Sequence, residues 1–243
     1  MRKLLLLAVT IISTASLMIS CNKKDDMPEK HSQLVTILDG SWDTGNFTVK
    51  FDDNKTAYVE NSSKFFISGS SYLNGETRAM ITFHYAEGQQ KEGFDHTITI
   101  TELFPLPTSY LKHLEESGIA NIEEYDTGIN IDSGFFANGY VNIAIRYKSS
   151  PEMGSKHSVK LVYNTDIENS PYKDLYKAND KYLYLELYHD NKNDAKTSEY
   201  SIYQCYKLIP ENLAIDNFDN YKGIKVLYKS EIDGEYKNFS IVL

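Results

Sequence analysis

The chain has 243 residues, a formal net charge of −9, 41% hydrophobic residues and only two cysteines. That hydrophobic share excludes wholesale disorder, and the acidic balance argues against nucleic acid or an anionic membrane surface as the main partner. Two cysteines leave no disulfide framework, while 19 Tyr and 11 Phe favour stacked β-strands.

The chain opens on the basic Met1-Arg2-Lys3. Leu4 to Val9 is wholly apolar, and the run on to Ile19 adds only Thr and Ser. A basic start, an apolar stretch and a small residue before a cut describe a secretory signal over residues 1–20. The stretch is shorter than the roughly 20 residues that span a bilayer. Met18-Ile19-Ser20-Cys21 resembles the bacterial lipobox, with Met18 in place of the more usual Leu. That resemblance implies a Cys21 thioether-linked to diacylglycerol and N-acylated, with palmitate-type chains holding the protein on a membrane. Cleavage removes Arg2 and Lys3 and no acidic residue, so the mature chain is more negative still. Lys24-Asp25-Asp26 resembles the Lys-acidic-acidic signal of surface-displayed lipoproteins. The expected place is therefore the outer membrane of a Gram-negative bacterium, facing outward. Residues 21–33 are polar, include Pro28, and are read as a flexible tether.

Most of the remainder alternates with period 2, the signature of half-buried antiparallel strands. Phe47, Val49 and Phe51 share one face, as do Ile81, Phe83 and Tyr85, and Ile98 with Ile100. Later, Val141, Ile143, Ile145 and Tyr147 oppose Tyr140, Asn142, Ala144 and Arg146. Leu183, Leu185 and Leu187 oppose Tyr182, Tyr184, Glu186 and Tyr188. Further strands are expected over 157–163, 199–208, 224–230 and 236–242. Asp39-Gly40, Asn74-Gly75, Asn138-Gly139 and Asp233-Gly234 supply turn chemistry.

Pro105 and Pro107 end one set of strands and mark the domain boundary. About five strands precede them, enough for a small barrel such as the OB-fold. About seven follow, enough for a sandwich. One short helix is expected over Tyr110 to Glu116, capped by Thr108 or Ser109 and ended by Gly118. The expected organisation is all-β: a barrel over 34–107, a linker with a short helix over 108–124, and an antiparallel β-sandwich over 125–243.

The order of several stretches resembles the NigD-like lipoproteins. They are Leu34 to Gly40, Arg78-Ala79-Met80-Ile81-Thr82-Phe83-His84-Tyr85, Phe94 to Ile100, Asn138-Gly139-Tyr140-Val141-Asn142-Ile143, and Tyr184 to Asp190. The resemblance implies an OB-type barrel followed by a sandwich, a lipid anchor, and a role like bacteriocin immunity. It carries over no catalytic residue.

The six histidines show no zinc spacing, and there is no Cys-x2-Cys, so no metal site or cofactor is expected. Asp190-Asn191-Lys192-Asn193-Asp194 fails as a calcium loop, because Lys192 replaces an oxygen ligand. No nucleophile elbow is present, and Cys205 is read as a small side chain within a strand. Sixteen of the 19 tyrosines follow residue 100. Tyr182, Tyr184 and Tyr188, opposite the leucines, form the candidate binding row for a sugar ring or a protein. The leading expectation is a non-enzymatic, lipid-anchored protein that binds a protein or glycan outside the membrane. A surface glycan-binding accessory role is the alternative, and a hydrolase with a site assembled from distant strands is the third.

Overall fold

The computed structural model describes residues 28–41, 45–65, 77–88, 90–151, 156–195, 197–216 and 218–243. The signal stretch, Cys21, Trp42, Asn74-Gly75 and most of the expected tether lie outside them. The fold is all-β. Five strands, β1 (His31–Ser41), β2 (Asn46–Phe51), β3 (Thr56–Val59), β4 (Thr77–Tyr85) and β5 (His96–Pro105), close into a barrel of order β1-β2-β3-β5-β4. The pairs are antiparallel except β3 with β5. Phe47, Val49, Phe51, Ile81, Phe83, Ile98 and Ile100 point inward as read, joined by Val35 and Ile37 in one core, whereas Tyr85, read on the same face as Ile81 and Phe83, is 44% exposed at the end of β4. Asp39-Gly40 sits within β1, at a register shift between Leu38 and Ser41, and not in a hairpin turn. The last tether residues, His31 to Gln33, already pair with β4.

The second unit packs two sheets. One is β6 (Thr108–Tyr110), β12 (Ser198–Lys207), β9 (Tyr140–Ser149) and β8 (Asn130–Ala137). The other runs β14 (Tyr236–Val242), β13 (Gly223–Lys229), β11 (Tyr182–Asp190), β10 (Ser158–Tyr163) and β7 (Lys112–His113). Val141, Ile143 and Ile145 of β9 meet Leu183, Leu185 and Leu187 of β11 in the core between them. Gly223 lets β13 approach its neighbours closely, since a Cβ there would lie 2.5 Å from the Ile241 carbonyl oxygen and 2.8 Å from the Tyr182 ring. Asn138-Gly139 makes the β8–β9 turn with positive φ at both residues.

The helix expected over Tyr110 to Glu116 is absent. Instead β6 pairs with β12 of one sheet, Leu111 crosses over buried, and β7 pairs with β10 of the other. Seven residues are too few to hold an α-helix alone, and pairing at two sheet edges satisfies their backbone groups instead. Only Leu114–Glu116 coils, as a 3-10 turn. Residues 108–124 thus belong to the sandwich and do not merely link to it.

Barrel and sandwich meet around Arg78 of β4, which is fully buried. Its Nη1 and Nη2 reach the two Asp52 carboxylate oxygens at 2.7 and 2.9 Å. Nη1 also donates to Thr36 Oγ1 at 3.0 Å. Nε donates to Asn142 Oδ1 of β9 at 3.3 Å, and the guanidinium lies 5.4 Å from the Tyr140 ring centre. Beside it, Asn138 Nδ2 donates to the Phe51 carbonyl at 2.9 Å. A lysine has the charge but not the planar fork. We expect Arg78→Lys to lower unfolding stability by about 2–3 kcal/mol, measured by urea denaturation; an unchanged midpoint would count against this role.

Candidate functional site

The Tyr182, Tyr184 and Tyr188 row does not face solvent. Tyr184 is 8% and Tyr188 1% exposed, and Tyr182 is half-buried. The reading of an exposed platform is corrected: β11 is buried on both faces. The leucine face packs in the inter-sheet core. The tyrosine face packs in a second core with Tyr125, Val162, Tyr172 and Leu227, against side chains from residues 114–125 and 172–176. Tyrosine allows this because its ring is apolar while its hydroxyl can be satisfied in place. The Tyr184 hydroxyl donates to Asp180 Oδ2 at 2.6 Å, and Tyr182 lies between Lys222 and Lys225, whose ammonium groups are 4.5 and 4.4 Å from its ring centre.

Glu186, fully buried on the same face, organises this core. Its Oε2 accepts from the Tyr188 hydroxyl at 2.7 Å and from Asn164 Nδ2 at 3.0 Å. Its Oε1 accepts from the Tyr176 hydroxyl at 2.8 Å and from Ser170 Oγ. Burial, then the neighbouring Glu186 carboxyl, drive the Tyr176 and Tyr188 hydroxyls well above their ordinary range. They therefore act as donors, not as acids.

A second polar chain joins residues far apart in sequence. His157 Nδ1 is 2.9 Å from His189 Nε2, and His157 Nε2 is 3.1 Å from Asp194 Oδ2. His189 Nδ1 is 3.1 Å from the Gly128 carbonyl, and Tyr147 stacks on His157 with ring centres 4.9 Å apart. Asp194 Oδ2 also lies 2.7 Å from Ser149 Oγ and from the Ser150 amide. Burial would raise the Asp194 carboxyl, but hydrogen bonds from Ser150, Ser149 and His157 outweigh it and hold the group well below the usual carboxylate range. Serine, aspartate and histidine occur here in the wrong order for nucleophilic catalysis. The hydroxyl meets the carboxylate, so neither imidazole is placed to take its proton. The Asp190–Asp194 turn gives no calcium cage either: Asp190 pairs with Lys192 and Asp194 turns to His157. Sequence reading missed this chain, because no local spacing marks it.

Cys205 is buried, and burial pushes its thiol up to about 12. Among the described residues no group of three or more His, Cys, Asp or Glu is placed to hold a metal.

The open feature is a cleft of about 300 Å³ where β6 crosses to β7. Ser109, Tyr110, Lys112 and Ser117 line one wall, and Ser158–Val162 of β10 with Tyr206 line the other. A second hollow of about 490 Å³ shares Tyr110 and Lys112 and adds Glu116 and Asn212. Tyr110 is 54% exposed.

The model of the NigD-like C-terminal beta sandwich domain matches residues 113–241. The chain belongs to the NigD-like family. No functionally curated protein matches it. Among solved structures, this NigD-like chain is similar to a protein of unknown function from Bacteroides vulgatus, at 19% identity and TM-score 0.58, over 88% of this chain and 91% of that one. It is also similar to a putative toxin related protein from Parabacteroides distasonis, at 15% identity and TM-score 0.57, over 87% and 93%. A NigD-like immunity protein from Bacteroides caccae shares 18% identity and TM-score 0.50, over 89% and 98%. At these identities the likeness shows the two-unit fold.

Two tests follow from the buried polar groups. We expect Glu186→Ala to strand three buried donors and the half-buried Tyr176 hydroxyl, and to destabilise the protein by on the order of 3 kcal/mol, measured by urea denaturation. A neutral effect would mean that the network contributes nothing. The folded Asp194 value lies below the unfolded one of ~3.9, so its stabilisation is present at neutral pH and disappears as pH falls through the carboxylate range. The melting-temperature gap between wild type and Asp194→Asn should accordingly narrow with acidification; a constant gap would contradict it.

Proposed function

We infer that this NigD-like protein is a lipid-anchored, non-enzymatic binding protein working outside the cytoplasm, with a role of the immunity type. Family membership supports the reading, and a solved structure of similar fold is a NigD-like immunity protein from Bacteroides caccae. The signal over residues 1–20 and the lipobox ending at Cys21 supply the anchor, and Lys24-Asp25-Asp26 supplies display on the outer face. The membrane is then a partner through Cys21, while the acidic body turns away from nucleic acid. Among the described residues no helix is long and apolar enough to cross a membrane.

The chemistry supports binding over turnover. The Ser149–Asp194–His157 chain is arranged for packing, and the glycan alternative has no platform in Tyr184 and Tyr188, which are buried. The partner favoured is a protein, met at the cleft beside Tyr110 and Lys112.

Cells grown with labelled palmitate should incorporate it into the wild-type chain and not into Cys21→Ala; label retained in the variant would overturn the anchor. Deleting the gene should sensitise the producer to a bacteriocin encoded beside it. Unchanged sensitivity to every neighbouring bacteriocin would remove the immunity role.

A further inference from the structure

Three hydrogen bonds run in series through one end of the sandwich, and each needs a proton. His189 Nδ1 is 3.1 Å from the Gly128 carbonyl oxygen, His189 Nε2 is 2.9 Å from His157 Nδ1, and His157 Nε2 is 3.1 Å from Asp194 Oδ2. The series ends on an acceptor at both sides. A backbone carbonyl has no proton to give. Asp194 has none either: despite burial, hydrogen bonds from Ser150, Ser149 and His157 keep it a carboxylate well below the usual range. Both outer protons therefore sit on the rings, on His189 Nδ1 and His157 Nε2. A neutral imidazole carries one proton, so two neutral rings have none left for the contact between them. Their lone pairs would face each other at 2.9 Å. That contact is a hydrogen bond only if the rings share a third proton.

The surroundings suit a cationic pair. His157 is fully buried and the Asp194 side chain is 5% exposed. With the third proton the buried charges sum to zero; without it a carboxylate is buried uncompensated. Tyr147 lies nearly flat on His157, with ring centres 4.9 Å apart and planes 20° apart, and its ring centre is 4.7 Å from that of His189. An aromatic face attracts a cation there. Burial, then Tyr200, push the Tyr147 hydroxyl above its ordinary range, so it stays neutral. The other charged groups nearby are engaged elsewhere. Asp190 pairs with Lys192, Asp126 pairs with Lys229, and Glu231, beside Gly128, accepts from the Lys148 amide. Lys156, next to His157, is exposed. Among the described residues, Asp194 is the one carboxylate hydrogen-bonded to either ring.

We propose that His157 and His189 hold three protons between them at neutral pH, ion-paired to Asp194, and so form a pH-sensitive clamp. It fastens the end of β9 at Ser149, the entry to β10 and the end of β11 to one another. Losing the third proton breaks the bond between the rings. A fourth has no acceptor to go to. The clamp thus weakens on both sides of its working range. In an unfolded chain the two imidazoles titrate near ~6.5. Well below that pH the unfolded chain binds one proton more than the folded pair; well above it, one fewer. Stability from the clamp therefore peaks near the free imidazole value and falls in both directions, approaching about tenfold in the unfolding equilibrium constant per pH unit, until the folded pair itself lets go.

The test uses the full chain in detergent, with nitrogen-15 in its histidines. At about pH 7.5, NMR should find three protonated nitrogens among the four of His157 and His189. In the variant His157→Gln/His189→Gln, two amides replace the rings and cannot titrate. Urea unfolding of both proteins from about pH 5.5 to 8.5 gives the ratio of their unfolding constants. The wild type should be most favoured near pH ~6.5 and lose ground on either side. Two neutral rings would instead gain stability steadily with pH and then level off. That profile, only two protonated ring nitrogens, or a third proton found on Asp194 would each overturn the proposal. If the variant does not fold, the proton count on the wild type decides alone.

Discussion

Arg78 leaves β4 of the barrel and carries its charge, fully buried, into the seam with the sandwich. Removing a guanidinium from water is costly, and the seam offsets that cost only through near-complete coordination. Asp52 meets Nη1 and Nη2 with its two oxygens, Thr36 accepts a second bond from Nη1, Asn142 accepts from Nε, and Tyr140 offers its ring face. Asp52 and Thr36 belong to the barrel, and Asn142 and Tyr140 to the sandwich. The site is complete only when both units are folded and docked. The crossover that opens the cleft begins just beyond this seam, where Thr108 Oγ1 accepts from the Arg78 amide at 3.3 Å. The position of Tyr110 and Lys112 is thereby tied to the barrel.

The second constraint is Glu186. A β-sandwich needs one buried face per sheet, yet β11 is buried on both. The extra layer holds because Asn164, Ser170 and Tyr176 donate to the same carboxyl, joined by Tyr188 of β11 itself, and so fix the irregular segment from Asn164 to Tyr176 against the sheet. Glu186 and its donors are used here to fasten a covering layer. His157, His189 and Asp194, at the far end of β11, tie together the ends of β9, β10 and β11.

Period 2 was legible in strands of six residues or more that set one alternating face against a core, as in β2, β9 and β14. β3 escaped reading because it is only four residues long, and β8 because Gly134 and the paired Phe135-Phe136 interrupt alternation. Leu183-Tyr184-Leu185 alternated correctly, but alternation cannot say whether the tyrosine face has a cover, since the covering turns have no period of their own. The helix over Tyr110 to Glu116 failed for a related reason: its short apolar spacing fits a helix, while the demand of two open sheet edges is invisible locally. The cleft and the His157–Asp194 chain depend on contacts across tens of residues, which no spacing rule encodes. Arg78 was visible only as part of a family-like stretch. Its burial follows from docking, not from the strand that bears it.

If Arg78 makes one cooperative body from barrel and sandwich, the intact chain must unfold as one. Scanning calorimetry of the wild-type protein measures this directly. The account requires a single transition whose calorimetric and van't Hoff enthalpies agree. Two resolved transitions, one for each unit, would contradict it.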